Sequence, residues 1–107
     1  MSFIDLGNIA EKEVMPGCKA KIVHSENMTL AYWAIEKGSS LPEHSHTNEQ
    51  VATLIEGRFE LTVDGNSRIL EPGSVAIIPP NAKHSGRAIT NCRVIDVFYP
   101  IREDYRK

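Results

Sequence analysis

The sequence predicts an all-β fold, a sandwich or barrel, on three observations. Short apolar runs recur along the chain, turn residues stand between them, and no stretch beyond the first fifteen residues carries a helical period. The runs occupy 19–24, 29–36, 50–56, 58–63, 67–70, 74–78 and 92–99. Between them lie "EKGSS", "EGR", "DGN", "EPG" and "PPNAKH", a punctuation of Gly, Pro and Asn that suits strand-to-strand connections better than alternating strand–helix units.

Taken in order, "IAEKEVM" at 9–15 is expected to form a single helical turn. The runs at 19–24 and 29–36 are expected strands, and His24, just before "SEN", is expected at the surface. His44 and His46 lie at i and i+2 on an extended segment, so their side chains leave the same face. Gln50 joins them only if the chain reverses. Thr47, Asn48 and Glu49 have the length of a three-residue hairpin loop, which would set Gln50 opposite His46 and Ala52 opposite His44, with Glu49 in the loop pointing elsewhere. Asp64-Gly65 between 58–63 and 67–70 predicts a type I′ hairpin, because both central residues of that turn need positive φ. Phe59, Leu61 and Val63 then share a face. The run at 74–78 ends in a Pro-Pro-Asn turn that can carry His84 back across the same cavity. In "CRVIDVFY", alternation separates Cys92, Val94, Asp96 and Phe98 from Arg93, Ile95, Val97 and Tyr99. Either Asp96 is buried on an apolar face, or Ile95 and Val97 are buried and Asp96 meets solvent or an arginine.

Composition limits what the chain can do. Its 107 residues fit one domain spanning 1–107, and 41% apolar with 24% charged residues is ordinary globular composition. A formal charge of −2 and a pI near 6.1 supply no basic footprint for nucleic acid or an anionic membrane, leaving a small soluble substrate as the expected partner. Cys18 and Cys92 form no CxxC pair and are expected to be buried free thiols. No basic, apolar leader opens the sequence and no apolar run is long enough to span a bilayer, so a cytoplasmic location is expected.

His44, His46 and Gln50 as inward nitrogen and oxygen donors describe a metal site short of one ligand. His84 is better placed than His24 to complete it. Lys83 and Arg87 flank His84 and are expected in solvent.

The spacing of these residues resembles the two motifs of the cupin superfamily. Gly38, five residues, His44-Ser45-His46, three residues, Gln50, six residues and Gly57 follow the first; Gly73, five residues, Pro79-Pro80-Asn81, two residues, His84, three residues and Ala88 follow the second. Gln50 stands where that family usually has Glu, Asn81 where it has Gly, and Ala88 where it has Asn. The resemblance implies a jelly-roll β-barrel, a homodimer, and one divalent transition metal (Ni, Zn, Mn or Fe) held by His44, His46, Gln50 and His84 in the barrel mouth. A neutral amide in place of a carboxylate would leave the ion a stronger Lewis acid. The "EQV" after the second histidine, the "EG" beyond it and the ending "DVFYPIREDY" further resemble a family of small cupins of pectin degradation that linearise 4,5-unsaturated uronates. This closer resemblance implies a sugar-acid substrate and catalytic roles for Asp96, Phe98 and Arg102: Asp96 moves the proton, Arg102 pairs with the substrate carboxylate, and Phe98 stacks on the ring. A metal-dependent cupin dioxygenase, from which the neutral Gln50 points away, and a non-catalytic small-molecule-binding cupin are the alternatives.

Overall fold

The computed structural model describes residues 1–106. Ten strands follow one another: β1 (Lys12–Met15), β2 (Cys18–His24), β3 (Thr29–Ile35), β4 (Ser40–His44), β5 (Glu49–Glu56), β6 (Phe59–Val63), β7 (Asn66–Leu70), β8 (Val75–Ile78), β9 (His84–Ala88) and β10 (Cys92–Tyr99). They form two antiparallel sheets, six-stranded in the order β1-β2-β3-β10-β5-β8 and four-stranded in the order β4-β9-β6-β7. This is the jelly-roll arrangement, a flattened barrel whose two sheets share no strand.

All seven apolar runs are strands, each ending within one residue of its expected bounds. β1, β4 and β9 carried no such run. β1 is exposed at Lys12, Glu13 and Val14 and exists through its pairing with β2, whereas a short 3-10 turn forms earlier, at Leu6–Asn8. The helical turn expected at 9–15 is therefore corrected: edge pairing outweighs local propensity there. β9 reads "HSGRA" because Gly86 lies against Phe59, where a Cβ would stand 2.2 Å from the ring.

The hairpin expected at 47–49 is also corrected. β4 lies in the four-stranded sheet with His44 paired to His84, while β5 lies in the six-stranded sheet with Gln50 paired to Phe98 and Ile78. The segment crosses from one sheet to the other, as a sandwich connection must when both of its neighbours are already paired. Ala52 thus faces Asp96 and Ala76, not His44, and Glu49 opens β5 opposite Tyr99. Asp64 and Gly65 take φ of 49° and 81°, the pair of positive values that the tight β6–β7 turn requires. Asn81 accepts φ of 66° in the position where glycine is usual.

The inward faces meet in a core of Ala31, Trp33, Ile35, Leu54, Phe59, Leu61 and Val94, among others. Each large side chain buried this way stabilises the fold by about 1.5–3 kcal/mol. Register then sets a change of character along the sandwich. Inward positions run Cys92, Val94, Asp96, Phe98 on β10, Leu54, Ala52, Gln50 on β5, and Ala88, Gly86, His84 on β9. One end is apolar; at the other, Asp96, Gln50 and His84 converge. The face carrying Cys92, Val94, Asp96 and Phe98 is the buried one, with Ile95 and Val97 half-buried on the opposite side.

Candidate metal centre

His44 ends β4, His84 begins β9, and the two are cross-strand partners with ring centroids 4.2 Å apart. His46, just past β4, closes the triangle at 5.6 Å from His44 and 4.9 Å from His84. One ligand nitrogen from each ring lies within 4.8 Å of the other two, so these three could hold a metal ion.

The backbone fixes which nitrogens those are. His44 Nδ1 lies 3.0 Å from the Pro42 carbonyl, His46 Nδ1 3.0 Å from that of Asn48, and His84 Nδ1 2.9 Å from that of Ala82. A carbonyl oxygen only accepts, so each Nδ1 carries the hydrogen and each neutral ring presents a bare Nε2. Burial lowers the pKa values of His46 and His84, with Arg102 adding to both, which keeps these rings in the neutral form that binds metal.

Gln50 enters from the facing sheet, 8% exposed, with Oε1 3.1 Å from His46 Nε2. Two acceptors that close repel each other unless a cation lies between them. The other end of the same amide is turned toward Asp96, so Gln50 spans the metal centre and the carboxylate.

Asp96 is 7% exposed, and burial raises its pKa to about 6; the Gln50 amide, the Trp33 indole and Arg102 oppose that rise without cancelling it. Trp33 Nε1 and Asp96 Oδ1 nevertheless both lack a hydrogen-bond partner among the described residues, so the indole acts on the carboxylate as a nearby dipole and not through a closed bond. His84 Nε2 is the third such atom. All three residues line one cavity of about 60 Å³. A buried polar group without a partner costs on the order of 1–3 kcal/mol, and three around one cavity describe a site built for something polar to fill.

The cavity wall is completed by Phe98, Arg102 and Tyr105. The Arg102 side chain is 11% exposed, its guanidinium lies 4.9 Å from the Phe98 ring centre and 3.9 Å from that of Tyr105, and it grips Asp104 at 3.1 and 2.6 Å. That grip holds the Asp104 carboxyl below the usual carboxylate range. Phe98 is 1% exposed and meets His46 edge-on at 5.6 Å. Burial pushes the Tyr105 phenol up to about 12.

The structure thus gathers His44, His46, Gln50, His84, Asp96, Phe98 and Arg102 into one region. Lys83 and Arg87 are exposed, Arg87 near Glu60 at 3.5 Å. His24 is corrected: it is half-buried, with Nδ1 2.8 Å from the Thr29 hydroxyl. Trp33, Tyr105 and Asp104 are the members that sequence reasoning missed. Trp33 alternates in β3 like any core residue and carried no signal, whereas Tyr105 and Asp104 stand within the terminal "REDY".

Three histidines gathered at the mouth of a jelly roll are the mark of a cupin, and the chain belongs to that family: the Cupin domain model matches residues 31–98. Within the family, the chain is 30% identical over 97 residues to the pectin degradation protein KdgF of Dickeya dadantii, covering 88% of each. The solved structure of KdgF from Halomonas sp. superposes with a TM-score of 0.92 at 28% identity, over 98% of both chains. An RmlC-like cupin from Shewanella frigidimarina gives a TM-score of 0.92 at 26% identity, over 98% of this chain and 96% of that one.

Two predictions arise from the site. Gln50→Glu should keep its metal, since a carboxylate holds a cation at least as firmly, yet it should turn over more slowly and shift the alkaline limb of its pH–rate profile upward, because a second carboxylate beside Asp96 raises its pKa and Asp96 acts in its protonated form. Elemental analysis checks the first part, and loss of metal would place Gln50 outside the ligand set. The second concerns stability. Asp96 titrates at about 6 when folded against an ordinary 3.8, so the folded state binds this proton more tightly. Its contribution is therefore fully present below pH 3.8 and lost as pH rises through about 6, a swing on the order of 3 kcal/mol. Metal-free Asp96→Asn should accordingly melt above wild type near pH 8 and lose that advantage near pH 4. The same difference in Tm at both pH values would contradict the burial argument.

Proposed function

We propose that this chain is a metal-dependent enzyme of pectin and alginate catabolism that opens 4,5-unsaturated uronate monosaccharides to 5-keto-4-deoxyuronate. The observation that carries the reading is the cavity on which Asp96 Oδ1, Trp33 Nε1 and the bare Nε2 of His84 converge without partners among the described residues, with His44 and His46 beside His84. Similarity to the pectin degradation protein KdgF supports pectin breakdown as the setting, and the unsaturated-uronate substrate rests on the resemblance of the ending "DVFYPIREDY".

The reaction places a proton on C4 and the oxygen of water on C5. The bond from C5 to the ring oxygen then breaks, leaving a ketone at C5 and an aldehyde at C1, and the water is returned, so substrate and product are isomers. His44, His46, Gln50 and His84 would hold one divalent transition metal (Ni, Zn, Mn or Fe), which supplies Lewis acidity toward substrate oxygen. Asp96 holds the proton and delivers it to C4, a task suited to a carboxyl whose pKa burial raises to about 6. Arg102 presents positive charge at the cavity wall for the substrate carboxylate, and the packed rings of Phe98 and Tyr105 exclude water. Loss of double-bond absorbance on incubating metal-loaded protein with an unsaturated uronate, with a flat oxygen-electrode trace, tests this. Oxygen uptake would favour a dioxygenase, and binding without turnover a sensor-like cupin.

The free, buried Cys18 and Cys92 suit a reducing compartment, and a cytoplasmic site of action is part of the proposal. So is a homodimer. Val23, Leu30, Val97, Val51 and Ile77 form one outward row across β2, β3, β10, β5 and β8, with Ile77 68% exposed. Five strands spaced about 4.8 Å apart make this an apolar strip about 20 Å long, which a twofold partner would cover with the same strip. Ile77→Lys should shift the wild-type dimer to monomer in sedimentation velocity, and a monomeric wild type would end the proposal.

A further inference from the structure

Among the described residues five polar or charged ones are buried: Gln50, His84 and Asp96, which belong to the site, and Thr29 and Asn48, which do not. Every side-chain hydrogen bond of Asn48 ends on the C-terminal segment that follows β10, and the Thr29 hydroxyl joins the same segment. Asn48 Nδ2 donates to the carbonyl of Pro100 at 2.5 Å and to that of Ile101 at 3.3 Å. The Thr29 hydroxyl oxygen accepts the Arg102 backbone N–H at 2.9 Å. Three consecutive residues of the segment are thus held by two buried side chains.

The Thr29 end continues as a chain of fixed polarity. His24 Nε2 lies 3.4 Å from the Tyr105 carbonyl, which only accepts, so Nε2 carries the hydrogen and Nδ1 is bare. The Thr29 hydroxyl therefore donates to His24 Nδ1, 2.8 Å away, while accepting from Arg102. Backbone N–H, hydroxyl, imidazole and backbone carbonyl run in one direction from Arg102 to Tyr105. Those two residues are the ones the segment contributes to the cavity wall. Asn48 links the segment to the metal centre as well, since its own carbonyl accepts the His46 Nδ1 hydrogen.

We infer that Thr29, His24 and Asn48 are positioning residues that hold residues 100–105 as a fixed wall of the site, and so keep Arg102 and Tyr105 in place over Phe98 and Trp33. The inference rests on the functional reading only in taking that wall as part of a working site.

The test needs no substrate. Trp33 is the single tryptophan and meets the Tyr105 ring edge-on at 6.5 Å, so it reports on the segment. In metal-loaded Thr29→Val, which keeps the shape and removes the hydroxyl, the Arg102 amide should exchange roughly tenfold faster or more, because its acceptor is gone. The Leu54 amide of β5 should not change, Trp33 should become more accessible to acrylamide, and Thr29→Ser should restore both readouts. Where Thr29→Val loosens the whole fold, Leu54 exchange rises with Arg102, and Asn48→Ala decides: it should raise Trp33 quenching at unchanged metal content. Wild-type Arg102 exchange and Trp33 quenching in folded Thr29→Val, or wild-type quenching in Asn48→Ala where that variant decides, would overturn the inference. On an unsaturated uronate, folded Thr29→Val should raise KM more than it lowers kcat, with Thr29→Ser close to wild type. A chain inactive toward uronates would remove the functional reading while leaving the exchange and quenching results to stand.

Discussion

Asp96→Asn should lower turnover of an unsaturated uronate by a factor on the order of 10² to 10⁴, the usual worth of a positioned acid or base. Asparagine matches aspartate in size, so the packing among Ala52, Ala31 and Trp33 around it should persist, and metal content should not change because Asp96 is not among the three histidines that could hold the ion. What the variant removes is the one titratable group that burial raises to about 6 inside the cavity. A merely structural Asp96 would behave oppositely, since replacing a buried carboxylate by a neutral amide relieves desolvation and leaves catalysis alone. Near-wild-type turnover in Asp96→Asn would remove it from the mechanism.

A larger loss is expected on dismantling the histidine triad. The double variant His44→Ala, His46→Ala should fall to background metal by elemental analysis and to uncatalysed rates on the uronate, because one imidazole and one amide oxygen cannot retain a divalent ion against water. His84→Ala should approach the same result alone. His84 is 4% exposed, its Nε2 has no hydrogen-bond partner among the described residues, and its ring lies against those of His44 and His46. Metal content equal to wild type in the double variant would disprove the centre.

Much of this was legible because the residues concerned obey local rules. The seven strands with apolar runs follow from alternation and from Gly and Pro between them, and the tight turn at Asp64-Gly65 follows from the φ values it demands. What escaped depends on tertiary pairing. β1 and β9 owe their existence to neighbours, and the path of 47–49 looked like a hairpin because three residues suit one, although the chain there changes sheets. His46 and Gln50 came together all the same, by facing each other across the sandwich instead of along a ladder. The burial of Asp96, which alternation left open between two faces, is decided by the pairing of β10 with both β3 and β5. Trp33 reads as one more alternating core residue of β3, and the place of Tyr105 beside Arg102 at the cavity depends on where the C-terminal segment is tied, through Thr29 and Asn48, to strands distant in sequence.

Proton delivery to C4 by Asp96, held in a fixed place beside the histidine triad, would leave a stereochemical mark on the product. The most direct measurement is proton NMR of the product formed from an unsaturated uronate by metal-loaded protein in deuterium oxide, read before the product itself exchanges. Wild type should place a single deuteron on one face of C4, without oxygen consumption. Equal deuterium on both faces, as in the uncatalysed reaction, or no product at all, would contradict it.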